Sequence, residues 1–150
     1  MRKITLYICL LLVASLVPVE RADLGKLKPV ETVYLGYEEN QIVIATDLED
    51  VGYGETLEDA LSNLKETTAG IVYLDTADYL LVSTGAESQI PQVAGKLKES
   101  VYICRTVGEV DLARVGSYLS VHLPKYRLKD WEKNVRLEEL SMENERFRIK

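Results

Sequence analysis

Residues 52–83, GYGETLEDALSNLKETTAGIVYLDTADYLLVS, constrain the fold more than any other stretch. Thr56 is a good helix N-cap, and Asp59, three residues on, stands where the acid of a capping box belongs. Leu57, Ala60, Leu61 and Leu64 follow at i, i+3, i+4 and i+7, so one stripe is apolar. Glu58, Ser62, Asn63, Lys65 and Glu66 fall on the other side. Gly70 supplies the left-handed conformation that commonly ends a helix. Two apolar runs follow, 71–74 and 79–82, too short for helices and rich in strand formers. Asp75-Thr76-Ala77-Asp78 between them reads as a turn. The centre of the chain is therefore predicted as helix, strand, tight turn, strand.

The first residues have a different character. Met1-Arg2-Lys3 is basic, and residues 4–19 are apolar and uncharged. That is the build of a secretory signal, and the run is shorter than the roughly 20 residues a spanning helix needs. Cleavage falls most naturally after Ala22, although Glu20 occupies a position that prefers a small residue. The two readings are a cleaved signal over 1–22 and a retained N-terminal anchor through residues 4–19. Cys9 lies inside the apolar run rather than after it, which argues against a lipid-anchored cysteine. The whole chain carries −6, and losing residues 1–22 removes three basic side chains and one acid, giving −8. Such a charge argues against nucleic acid or an anionic membrane surface as the main partner. Residues 23–150 are enough for one domain with its own core. Only Cys104 remains there, so no internal disulfide is possible; its apolar run VYICRTV predicts a buried thiol.

Elsewhere the periodicities are clear. Residues 23–29 read as a polar lead-in. Val33, Leu35 and Tyr37 alternate with Thr32, Tyr34 and Gly36, and a returning strand over 41–46 places Ile42 and Ile44 on one face and Val43 and Ala45 on the other. Glu39-Asn40 forms the hairpin turn. Residues 47–55 read as an acidic, solvated connection with flexible glycines. Ile90, Val93, Ala94 and Leu97 repeat the helical stripe, with Pro91 in the first turn. A strand is predicted over 101–107. A third helix starts at Asp111, carries Leu112, Val115 and Leu119 on one face and stops before Pro124. Tyr126, Leu128 and Trp131 dot a charged connection with room for one helical turn. Leu140 and Met142, then Phe147 and Ile149, step by two around Glu143-Asn144 as a second hairpin. The expectation is an α+β domain: a mixed sheet of about six to seven strands with about three helices, mostly on one face.

Candidate chemistry is sparse. The connection 47–55 fails the EF-hand spacing, and Gly52-x-Gly54 lacks the further glycine and lysine of a phosphate loop. His122 stands alone at a helix end, where it caps carbonyls or faces solvent more readily than it serves as a base. One histidine and one cysteine in 23–150 are too few for a zinc site. Asp75 and Asp78 share a turn, where bonding the turn's own N–H groups is their simplest role. No catalytic, cofactor-binding or metal-ligating residue is assigned and no cofactor is expected. The other class of function to weigh is a small ligand-binding protein or hydrolase using carboxylates near Asp47 and Asp50 or near Asp75 and Asp78.

The pattern Gly52-Tyr53-Gly54-Glu55-Thr56-Leu57-Glu58-Asp59-Ala60 with Leu64, followed by the strand–turn–strand of 71–82 and a strand over 101–107, resembles the N-terminal domain of the C-subunit family of spore germinant receptors from spore-forming Firmicutes. Roughly residues 30–120 are covered. The chain is also similar to short exported proteins of that bacterial group that share DTADYLLV-like and LSVH-P-like segments. Family members carry a lipidated cysteine after the signal and two further domains, neither found here, and their basic, glycine-bearing turn is replaced by Asp75-Thr76-Ala77-Asp78. The resemblance implies a non-enzymatic, protein-interacting role among envelope or spore proteins, with membrane association through residues 4–19, secreted or on the outer side of the membrane.

Overall fold

The computed structural model describes residues 27–132 and 135–150, so the expected signal or anchor lies outside the described residues. Three strands open the described chain: β1 (Leu27–Pro29), β2 (Thr32–Glu38) and β3 (Gln41–Thr46). Glu39 and Asn40 both take positive φ, 46° and 70°, so the β2–β3 hairpin turns where its sequence predicts. β4 (Val51–Gly54) then adds antiparallel to β3. The connection expected over 47–55 therefore contains a strand.

Helix α1 (Leu57–Thr67) forms as predicted. Thr56 Oγ1 accepts from the Asp59 N–H while the Asp59 carboxylate accepts from the Thr56 N–H, a complete capping box. Leu57, Ala60, Leu61 and Leu64 are buried. Gly70 is not the terminator: the helix closes earlier, with the Thr68 N–H donating to the Leu64 carbonyl. β5 (Ile71–Tyr73) and β6 (Tyr79–Ser83) follow, separated by a single 3-10 turn at Leu74–Thr76. They do not pair with each other. β5 pairs with β1 in a two-stranded parallel ribbon, and β6 enters the main sheet parallel to β2.

The second predicted helix is short. α2 (Ile90–Ala94) ends at Gly95, and Leu97 reaches the core from the following turn instead of from a further helical turn. β7 (Tyr102–Val107) and α3 (Leu112–Val121) agree with their predicted limits, and Asp111 caps α3 by accepting from the Arg114 N–H. The connection after α3 holds β8 (Tyr126–Arg127) and one 3-10 turn, Leu128–Asp130. The last hairpin is β9 (Glu139–Glu143) and β10 (Arg146–Ile149). Its turn residues are Asn144 and Glu145, φ 49° and 60°, one position later than expected. The apolar pattern itself selects this frame, because it pairs Met142 with Phe147 and Leu140 with Ile149.

The main sheet has eight strands in the order β10-β9-β7-β6-β2-β3-β4, with β8 beside one end of β7. β9, β7, β6 and β2 run parallel, flanked by antiparallel strands at both ends. Among the described residues the molecule is α+β, with a mixed sheet and three α-helices. On one face Val33, Leu35, Ile42, Ile44, Leu80, Val82 and Ile103 meet the apolar stripes of α1 and α2. On the other, Tyr79, Leu81, Cys104 and Leu140 meet Val115 and Leu119 of α3. Burial on both faces explains why residues 42–45 of β3 and 79–82 of β6 form unbroken apolar runs rather than alternating.

Candidate functional site

The acidic turns singled out by sequence converge on one segment, residues 28–32, and their donors and acceptors serve structure. Asp47 Oδ1 accepts from the N–H groups of Glu31 and Thr32, both at 3.1 Å. Asp50 pairs with Lys28 Nζ at 3.3 Å. The N–H groups of Asp78 and Tyr79 donate to the Glu31 carbonyl, and the Asp78 carboxylate pairs with Lys98 Nζ at 3.1 Å. The turn of 75–78 is not held by its aspartates. Thr76, a residue sequence reasoning passed over, accepts from the Val30 N–H at 2.8 Å and donates back to the same residue's carbonyl at 3.0 Å. These bonds fix the bend between β1 and β2. Asp75 is exposed in a shallow depression with Glu58, Lys65 and Lys96, where charges of both signs mix.

His122 is the C-cap residue of α3: its backbone N–H donates to the Tyr118 carbonyl and its ring lies 4.5 Å from that of Tyr118. Cys104 is free and buried, and burial, aided by the charge of Glu138, pushes its thiol up to about 12. It is a core thiol, as its apolar run predicts, and burial leaves it no access to an intermolecular disulfide. Tyr79 is also shifted upward, first by burial and then by Glu31, Asp78 and Tyr102. Among the described residues, no group of three or more His, Cys, Asp or Glu is placed to hold a metal ion, and no helix is long and apolar enough to cross a membrane.

The most distinctive surface lies elsewhere. Helix α3 reaches across its face as far as β2, and among the described residues the β3–β4 end of that face has no helix over it. There an open groove of about 570 Å³ has Val43 and Ala45 as its floor. Tyr34, Tyr53, Val110 and Leu112 form its walls, and Glu38 and Glu109 stand at its rim. Tyr53 is 44% exposed, and Tyr37, 42% exposed, lines the same groove, so its aromatic walls stand open to solvent.

Two glycines explain why the groove has this shape. A Cβ on Gly52 would stand 2.2 Å from the Ala60 carbonyl oxygen, and one on Gly54 would stand 2.3 Å from the Ala60 nitrogen. The backbone of α1 thus rests directly on β4 through alternate glycines, leaving Tyr53 to project from the opposite face. The helix also closes the outer edge of β4: Asn63 Oδ1 accepts from the Tyr53 N–H at 3.0 Å and Thr67 Oγ1 donates to the Val51 carbonyl at 3.2 Å. The alternation Val51-x-Tyr53 was the only trace of this wall in the sequence, and the glycines concealed it. No family model, curated protein or solved structure matches this chain.

Proposed function

We propose that the chain is a non-catalytic exported domain that works by protein–protein contact in or beside the cell envelope or the spore, with the fold of the first germinant-receptor C-subunit domain. One observation carries the interaction half: the tyrosine-walled, acid-rimmed groove beside β4. Its aromatic walls over a small apolar floor have the composition of interface centres, and it is too open to hold a small molecule away from water. The spent carboxylates at Asp47, Asp50 and Asp78 favour this reading over a hydrolase. The basic start and the apolar run 4–19 motivate export.

The test places a photo-crosslinking residue at Tyr53, and separately at Glu66 on the exposed side of α1, in cells that make the protein. A discrete adduct with an envelope or spore protein from position 53 but not 66, lost when Val51→Glu is added, is the expected result. Identical patterns from both positions, or no adduct from either, end the docking reading. Mass spectrometry of medium, membrane and spore fractions reads the export half: an N-terminus at Asp23 in spores supports it, and an intact Met1 in the cytosol refutes it.

A further inference from the structure

The two edges of the main sheet are treated differently. The outer edge of β4 is closed by Asn63 and Thr67. The opposite edge, β10, pairs only with β9 among the described residues. Lys150 and Glu139 exchange both backbone hydrogen bonds, at 2.9 and 3.0 Å. By the alternation of an antiparallel ladder, Arg148 and Arg146 also face β9, while the N–H and C=O groups of Phe147 and Ile149 point outward. That is a row of two donors and two acceptors spaced for an added strand.

The side chains flanking this edge are sorted by face. Arg146, Arg148 and Lys150 are exposed on one face, where their cross-strand neighbours Glu143 and Glu139 are already engaged, Glu143 by Arg148 at 3.2 Å and Glu139 by Arg105. Phe147 and Ile149 lie on the other, against α3. There Tyr118 packs on Phe147 with ring centroids 5.3 Å apart, and His122 extends the aromatic row beyond it. Val121, 76% exposed, continues the same flank of the helix.

We propose that β10 accepts an extended segment of another protein as a ninth strand, and that this segment alternates acidic and apolar side chains. Its acids meet Arg146, Arg148 and Lys150, and its apolar residues lie against Tyr118, Val121 and His122. A second copy of this chain is the wrong occupant. Antiparallel pairing of two β10 strands through Phe147 and Ile149 sets Arg148 directly opposite its own copy, a like-charge pair that disfavours the ladder. The same arginines that block self-pairing therefore select an acidic partner. The inference is independent of the groove beside β4, which lies at the far end of the sheet.

The experiment uses the full chain in mild detergent and a blocked peptide of three Glu-Val repeats. Its controls are a block isomer with three glutamates followed by three valines, and a Lys-Val repeat. Amide hydrogen exchange followed by NMR reads the edge directly. The alternating acidic peptide is expected to slow exchange at Phe147 and Ile149 in a salt-sensitive manner, and the block isomer to bind about tenfold more weakly. Arg148→Glu, at an exposed position, should keep the fold by circular dichroism and reverse the preference toward the Lys-Val peptide. Equal protection by both acidic peptides, protection lost nowhere in Arg148→Glu, or Phe147 and Ile149 amides already protected without peptide overturns the proposal. A Val51→Glu variant should bind the peptide unchanged, which separates this edge from the groove.

Discussion

Gly52→Ala is the sharpest test of how β4 and α1 fit together. The added methyl would sit 2.2 Å from the Ala60 carbonyl oxygen, 2.6 Å from the Leu64 nitrogen and 2.7 Å from the Leu64 Cβ. All three neighbours belong to the rigid middle of α1, so no flexible side chain can swing away. Ordinary contact begins near 3.4 Å, so the helix must retreat by about 1 Å or β4 must leave the sheet. Either movement loosens Leu57, Ala60 and Leu64, all at most 1% exposed. Overpacking of this kind costs about 1–3 kcal/mol, and loss of the edge bonds to Asn63 and Thr67 adds about 1 kcal/mol. Against this, alanine restricts the unfolded chain and returns about 0.4–1 kcal/mol. The net expectation is a loss of about 2–3 kcal/mol, a large share of the stability of a domain this size. Urea unfolding followed by Trp131 fluorescence and by circular dichroism measures it. Gly95→Ala is the control, because its nearest neighbour is 3.6 Å away and its φ of −71° suits alanine; it should be neutral or stabilising by up to about 1 kcal/mol. A Gly52→Ala loss below about 0.5 kcal/mol with an unchanged slope would refute the close-approach argument.

Leu64→Ala should cost about 2–5 kcal/mol in the same assay, and Leu61→Ala, 8% exposed, should fall toward the lower end. Thr56→Ala removes the Oγ1 half of the capping box while its backbone N–H can still donate to Asp59, and it should cost about 1 kcal/mol, with the helix otherwise retained by circular dichroism. Glu145→Gly removes a non-glycine residue from positive φ and creates the Asn-Gly pair preferred in such turns, so a gain of about 1 kcal/mol is expected; a loss would mean Glu145 makes a contact that outweighs backbone strain. Cys104 gives a pH signature. Its folded thiol, raised to about 12, holds a proton that the unfolded thiol releases above about 9. Its contribution is therefore intact below pH 9 and falls by about 1.4 kcal/mol per pH unit up to pH 12. Cys104→Ala should flatten that part of the curve, and native Cys104 should resist thiol reagents at pH 8 until urea exposes it.

What the sequence revealed and what it hid follow from how local each feature is. The capping box of α1, the β2–β3 hairpin and the limits of β7 and α3 depend on neighbours along the chain, and periodicity read them directly. The pairing of β1 with β5 depends on segments brought together only by the fold, and both strands are short and half exposed. Residues 71–82 suggest a connected strand pair, yet the parallel registers of β6 with β2 and β7 place β6 in the sheet centre and leave β5 outside it. β4 escaped because its alternate glycines lower strand propensity for the same reason that they admit α1. Leu97 continued a helical stripe that Gly95 had already ended, and a turn delivered it to the core all the same. The groove was illegible because its floor and walls come from β2, β3, β4 and the start of α3, each an ordinary amphipathic segment on its own.

The acidic turns and the open surfaces carry one further lesson together. Aspartates in glycine-bearing loops attract chemical readings, yet in this fold Asp47 and Asp50 hold the β1–β2 bend and Asp78 is engaged by Lys98 beside it. Removing Asp47 should therefore act on the sheet and not on a reaction, because two N–H donors at Glu31 and Thr32 lose their acceptor. The surfaces without internal partners are instead those made by plain strand residues: Tyr53 beside α1 and the outward backbone of β10. One end of the sheet presents aromatic rings over a sealed edge, and the other presents an unsealed edge between arginines and an aromatic row. Under the two proposals above, one domain engages two partners at once, since neither surface shares a strand with the other.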